Sequence, residues 1–106
     1  MNKPTLHLNL KKEFFDLIAD GEKKEEYREI KPYWNRVFTS HIWIKGRPYH
    51  PSDVNICFSN GYSKNRRQMI VACRYLVQRQ GKPEWGAKPN VWYHTLILGD
   101  ILKKNF

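Results

Sequence analysis

The sequence predicts an α+β fold, a small β-barrel or curled mixed sheet of five to six strands flanked by two or three short helices, in one domain over residues 1–106. Three observations predict it. Short runs with period-two alternation of apolar residues are spread along the whole chain. Helical spacing is confined to two segments near the start. Helix and strand do not alternate, so parallel βαβ winding is not expected. A chain of 106 residues buries enough surface for one core and no second one.

The elements follow in order. Residues 5–10 place Leu6, Leu8 and Leu10 on one face and Thr5, His7 and Asn9 on the other, the signature of a half-buried strand. In residues 11–20, Phe14, Phe15, Leu17 and Ile18 fall at helical spacing, and Gly21 stands where a left-handed cap ends a helix. Residues 22–28 are charged except for Tyr27, and are expected to stay unburied as a surface loop or edge strand. Residues 30–38 predict a second short helix with Pro32 in its first turn and an apolar stripe of Tyr33 or Trp34 with Val37 and Phe38. A strand over residues 41–45 is followed by a Gly- and Pro-punctuated loop over 46–51. A strand over 54–58, the turn signal Asn60-Gly61 and a β-branched strand over 69–78 predict a hairpin with a basic tip, residues 63–67. Residues 80–90 read as a loop or a single helical turn, 91–98 as a strand and 99–102 as a last short one.

Nineteen Lys and Arg stand against ten Asp and Glu, a formal charge of +9. The second half, residues 51–106, has nine basic and three acidic side chains, while every acid of the first half lies between Glu13 and Glu29. Such a surface fits a polyanion, because Lys and Arg that neutralise phosphates release condensed counterions. No apolar stretch approaches the ~20 residues of a membrane span, and residues 1–9 hold no apolar core of signal-peptide length; a cytoplasmic protein, without membrane partners, is expected. Cys57 and Cys73 form no CxxC motif and lie in apolar strands, where a thiol is inert. No two of the four histidines have zinc-ligand spacing, so neither a metal nor a cofactor is expected.

The most specific feature is residues 21–28, GEKKEEYR, directly after a strand and an apolar helix. Strand, short helix and G-x-K-x-x-E-x-R, with Gly21, Lys23, Glu26 and Arg28 at the fixed positions, resemble the ASCH domain of the PUA-like superfamily. YREIKPYW at 27–34 looks like that family's phage and bacterial subgroup. The resemblance covers about the first 40 residues. It implies a PUA-like barrel whose motif residues point into a cleft for a base or nucleotide, and it associates the chain with RNA recognition. It also implies that some relatives are enzymes: one group resembles an amidohydrolase acting on acetylated cytidine, another cuts RNA. In the amidohydrolase group the motif lysine works with a threonine three residues on and a distant glutamate. Lys23 matches that lysine, Glu26 stands in the threonine's place, and Glu84 is the one glutamate of the second half.

Within this motif, Glu25, Glu26 and Glu29 favour a charged Lys23, which points to phosphate or base-edge binding. In an extended stretch Lys24, Glu26 and Arg28 share one face and Lys23, Glu25 and Tyr27 the other. Glu26 and Arg28 are expected to form an ion pair or base-edge reader at the cleft floor, with Lys23 reaching in from the turn after Gly21. On a helix, the same charges would be a solvated face. Among the aromatic residues, Trp34 and Trp43 sit in apolar patterns and read as core, whereas Tyr62 and Trp85 lie in polar loops where rings can stack on bases. Lys64, Arg66 and Arg67 form the densest positive loop, suited to phosphate contact.

The chain is therefore expected to be a monomeric RNA- or nucleotide-binding module with Gly21, Lys23, Glu26, Arg28, Tyr62, Lys64, Arg66 and Arg67 as ligand-binding residues. The alternative is a small enzyme of the same fold using Lys23 and Glu26 as an acid–base pair on a modified nucleoside or on RNA. A third reading is an adaptor that meets an acidic protein.

Overall fold

A computed structural model of the chain describes residues 3–106; Met1 and Asn2, the start of the segment read for a leader, lie outside the described residues. The alternating segment forms strand β1 (Thr5–Asn9) and the apolar one helix α1 (Lys12–Ala19), which buries Phe15 and Ile18. The charged run becomes β2 (Glu25–Glu29), and the proline-led segment α2 (Pro32–Val37). Strands β3 (Ile42–Ile44) and β4 (Arg47–Tyr49) follow, then β5 (Asn55–Asn60), β6 (Arg67–Gln80) and β7 (Trp92–Lys104).

Five of these strands build one curled sheet in the order β1-β5-β6-β7-β2, and β3 and β4 pair separately as a hairpin. The fold is α+β, a half-barrel with two helices. Its ladder is antiparallel except for β1, which runs parallel to β5 with Leu8 opposite Phe58. Apolar side chains from both sources, Leu8, Ile56, Phe58, Val71 and Leu96 from the sheet and Phe15 and Ile18 from α1, form one core with Phe38 and Ile42. Phe15 has no exposed surface, and burial of such a side chain contributes about 1.5–3 kcal/mol.

Three expectations need correcting. Residues 46–51 are not all loop: Lys45 and Gly46, at φ of +51° and +76°, make a two-residue turn that folds Arg47–Tyr49 back on β3. Pro48 fits there because the pair stands apart from the main sheet and offers proline an edge. Residues 91–102 do not divide at Gly99, since β7 runs through it. The β6–β7 register is irregular between Ile70 and Tyr75, and Gly99 lies close against Ala72 there, so the ribbon bends at this level instead of ending. With the β3–β4 hairpin the described residues hold seven strands, more than the five to six expected.

The curl gives the fold its functional geometry. β1 and β2 are the two outer strands of the sheet, yet Arg28 of β2 donates from Nη2 to the backbone carbonyl of Asn9 in β1 at 2.9 Å. A side chain, in place of a backbone ladder, ties the two edges.

Candidate functional site

Gly21 sets up the site. It ends α1 at φ +82°, and the N–H groups of Glu22 and Lys23 both donate to the Leu17 carbonyl at 3.0 Å, the glycine-dependent reversal common at helix ends. The reversal sends Lys23 inward. Its ammonium donates to the Glu25 carbonyl at 2.7 Å and to Glu26 Oε1 at 2.6 Å, and sits 5.3 Å from the centre of the Tyr27 ring and 5.7 Å from that of Phe14. No part of this side chain is exposed.

The expectation that residues 22–28 stay unburied is therefore wrong for Lys23, Glu25 and Glu26. A charged run is excluded from the interior only while its charges are unpaired. Here each finds its opposite: Glu25 pairs with Arg79 of β6 and accepts from the Tyr27 hydroxyl at 2.8 Å. Desolvation holds the Lys23 ammonium below the ordinary lysine pKa, and the charge and hydrogen bond of Glu26 pull it back up.

Strand alternation does the rest. Glu26 and Arg28 share a face of β2, and Glu26 Oε2 accepts from Arg28 Nε at 3.1 Å and from Nη2 at 2.7 Å. Lys23, Glu26 and Arg28 thus form a line of charges in which one carboxylate joins two cations. The guanidinium lies 5.0 Å from the centre of the Trp34 ring. Its side chain keeps 17 % of its surface, and Nη1 is the nitrogen committed to no partner among the described residues.

Glu26 and Arg28 line a cleft of about 420 Å³ between the two sheet edges, with Asn9, Phe14, Trp85 and Tyr93 as further walls and the exposed Lys11 and Lys88 also among its lining residues. The size falls in the roughly 300–1,000 Å³ range of small-molecule sites. Leu98 donates its N–H to the Lys24 carbonyl, so the alternation of an antiparallel ladder turns the backbone N–H and C=O of Tyr27 away from β7 to the free edge. The cleft wall is thereby an unpaired strand edge beside a guanidinium. Gly86, at φ +100°, lets the Phe14 ring approach so closely that a Cβ would meet it at 2.8 Å. The Tyr93 hydroxyl accepts from the Lys88 N–H at 2.9 Å, bracing the loop that carries Trp85.

The expected site residues do not all converge. Glu26 and Arg28 line the cleft, as does Trp85. Gly21 and Lys23 line a different hollow with Lys24, Leu98 and Gly99, and the Lys23 ammonium is turned to Glu26 instead of a ligand. Tyr62 and Arg66 line a groove on the outer side of β1, and Lys64 is exposed at the hairpin tip. Arg67, expected to contact a ligand phosphate, instead pairs with Asp16 at 2.9 Å and lies over the Phe15 ring, because the first residue of β6 stands beside α1. Lys12, then Arg67, holds the Asp16 carboxyl below its usual pKa. Trp43, read as core, is 37 % exposed, since the two-stranded hairpin covers one face only. Glu84 is exposed in a short helical turn (Pro83–Trp85) and takes no place in the cleft lining.

Asn9, Phe14 and Tyr93 are site residues that the motif does not reveal. Asn9 reads as one more polar residue on the outer face of β1, and its role depends on an edge contact that exists only when the sheet curls. Phe14 reads as core by its spacing. Burial pushes both thiols up, Cys73 to about 11, so neither is a ready nucleophile. Among the described residues no three His, Cys, Asp or Glu side chains stand together as metal ligands, and no helix is long and apolar enough to cross a membrane.

No protein-family model, curated protein or solved structure matches the chain.

Proposed function

We propose that the protein is an ASCH-like module that binds RNA or a nucleotide in the cleft between β1 and β2. The observation that carries this reading is Arg28: its guanidinium is fixed by Glu26 and Asn9 and backed by Trp34, while Nη1 remains for a ligand. A fixed planar donor recognises phosphate or the acceptor edge of a base with little loss of side-chain entropy. The surroundings suit the same ligand. Trp85 offers aromatic surface to an unpaired base, the free edge of Tyr27 offers a donor and an acceptor, and Lys11 and Lys88 offer charge to a phosphate.

Lys23 acts here as a positioning residue that holds Glu26. Both Glu26 oxygens are already engaged, so the enzymatic alternative, which needs Glu26 to exchange a proton, draws no support from this geometry.

Fluorescence anisotropy with a labelled single-stranded RNA tests the proposal. Affinity is expected to fall between about 50 and 200 mM salt, with a slope near −0.7 per phosphate contacted. Arg28→Lys keeps the charge and loses the fork, and is expected to weaken binding by about 1–3 kcal/mol. Affinity indifferent to salt, or unchanged in Arg28→Lys, overturns the reading.

A further inference from the structure

The cleft has a neighbour. On the outer face of β1 a groove of about 390 Å³ is lined by His7, Asn9, Ser59, Gly61, Tyr62 and Arg66. Tyr62 is 89 % exposed, unusual for a tyrosine that packs on nothing. Asn9 belongs to both sites: its carbonyl receives Arg28 at 2.9 Å on the cleft side, and its side-chain amide donates to the Gly61 carbonyl at 2.8 Å on the groove side. The connection is reinforced one residue along, where the Asn60 amide donates to the Leu10 carbonyl at 3.1 Å. Thus the hairpin turn that carries Tyr62 is fastened to the strand end that forms the cleft wall.

We infer that the two sites are consecutive subsites of one track, and that the ligand is a single-stranded oligonucleotide instead of a lone nucleotide. The inference rests on the proposed function of the cleft. One base occupies the cleft beside Arg28, the backbone passes over the β1 edge at Asn9, and the adjoining base stacks on Tyr62. Arg66 serves the intervening or following phosphate, and its guanidinium is braced for this by a hydrogen bond from Nη1 to the Ser63 carbonyl at 3.2 Å. Stacking on an exposed ring is tolerant of sequence, so selectivity belongs to the cleft and length dependence to the groove.

The test compares each ribonucleoside 5′-monophosphate with the matching single-stranded RNA octamer, on the full chain and on Tyr62→Ala, by competition against a labelled octamer. The expected result is an octamer affinity roughly tenfold or more above that of the preferred monophosphate, the effect of one stacked base. Tyr62→Ala should remove most of that gain and leave the monophosphate affinity unchanged. An octamer no tighter than its monophosphate, or a Tyr62→Ala variant that retains the full gain, overturns the track while leaving the cleft reading intact. Failure of every nucleotide and octamer to bind overturns both.

Discussion

One carboxylate, Glu26, holds the Lys23 ammonium at 2.6 Å and the Arg28 guanidinium at 2.7 Å, and the lysine side chain is wholly withdrawn from solvent. The order of the three charges makes their removal unequal. Glu26→Gln leaves a buried lysine without its counter-charge and frees Arg28 from its anchor, and is expected to cost about 3–5 kcal/mol. Lys23→Met keeps the Glu26–Arg28 pair and leaves one Glu26 oxygen and the Glu25 carbonyl short of a donor, a loss of about 1–3 kcal/mol. Urea denaturation of the two variants checks the difference. Equal losses would mean that Glu26 is not the centre of the network.

Gly86 carries two separate demands, a φ of +100° and a Phe14 ring 2.8 Å from where a Cβ would stand. Gly61 shares the first demand, at φ +86°, with open space around it. Gly86→Ala should therefore lower the melting temperature further than Gly61→Ala, and the gap between them measures the clash. A gap equivalent to 1 kcal/mol corresponds to roughly 4–8 °C in a domain near this size. Phe14→Leu in the Gly86→Ala background should recover part of the gap and none of the φ cost. Melting curves of the four proteins decide it.

His94 is 3 % exposed, with Nε2 2.7 Å from Asn35 Oδ1, its ring 5.6 Å from that of Phe38, and Arg28 opposite across the β2–β7 ladder. Burial holds its pKa below the ordinary value of 6.5. The unfolded chain then binds more protons than the folded one between the lowered value and 6.5, so this contribution is present above pH 6.5 and is lost as pH falls below it. His94→Gln should flatten the stability profile over that interval, read from urea midpoints between about pH 8 and pH 5. A wild-type profile with no decline there would show that His94 titrates alike in both states.

Much of the fold follows from local pattern because the pattern is physically local. Alternation over Thr5–Asn9 places β1, the Phe14-to-Ile18 spacing places α1, and Asn60-Gly61 with flanking apolar residues places the β5–β6 hairpin. β4 was hidden because Gly46 and Pro48 signal a loop, whereas two residues at positive φ turn the chain back into a pair. The charge run was harder still. Whether Lys23 faces water or Glu26 depends on Arg79, on the Phe14 ring and on β7, all of which arrive from elsewhere in the chain.

By itself the sequence determined a basic chain of α+β class, the turn at Gly21, and the alternation that puts Glu26 and Arg28 on one face. These depend on neighbours a few residues apart, for which backbone sterics and period suffice. Only the tertiary structure decided that Lys23 supports the site from behind, that Arg67 leaves it for Asp16, and that Asn9 joins it. Those outcomes follow from how far the sheet curls. The curl brings the first strand to the second across the width of the sheet, and no local period records that distance.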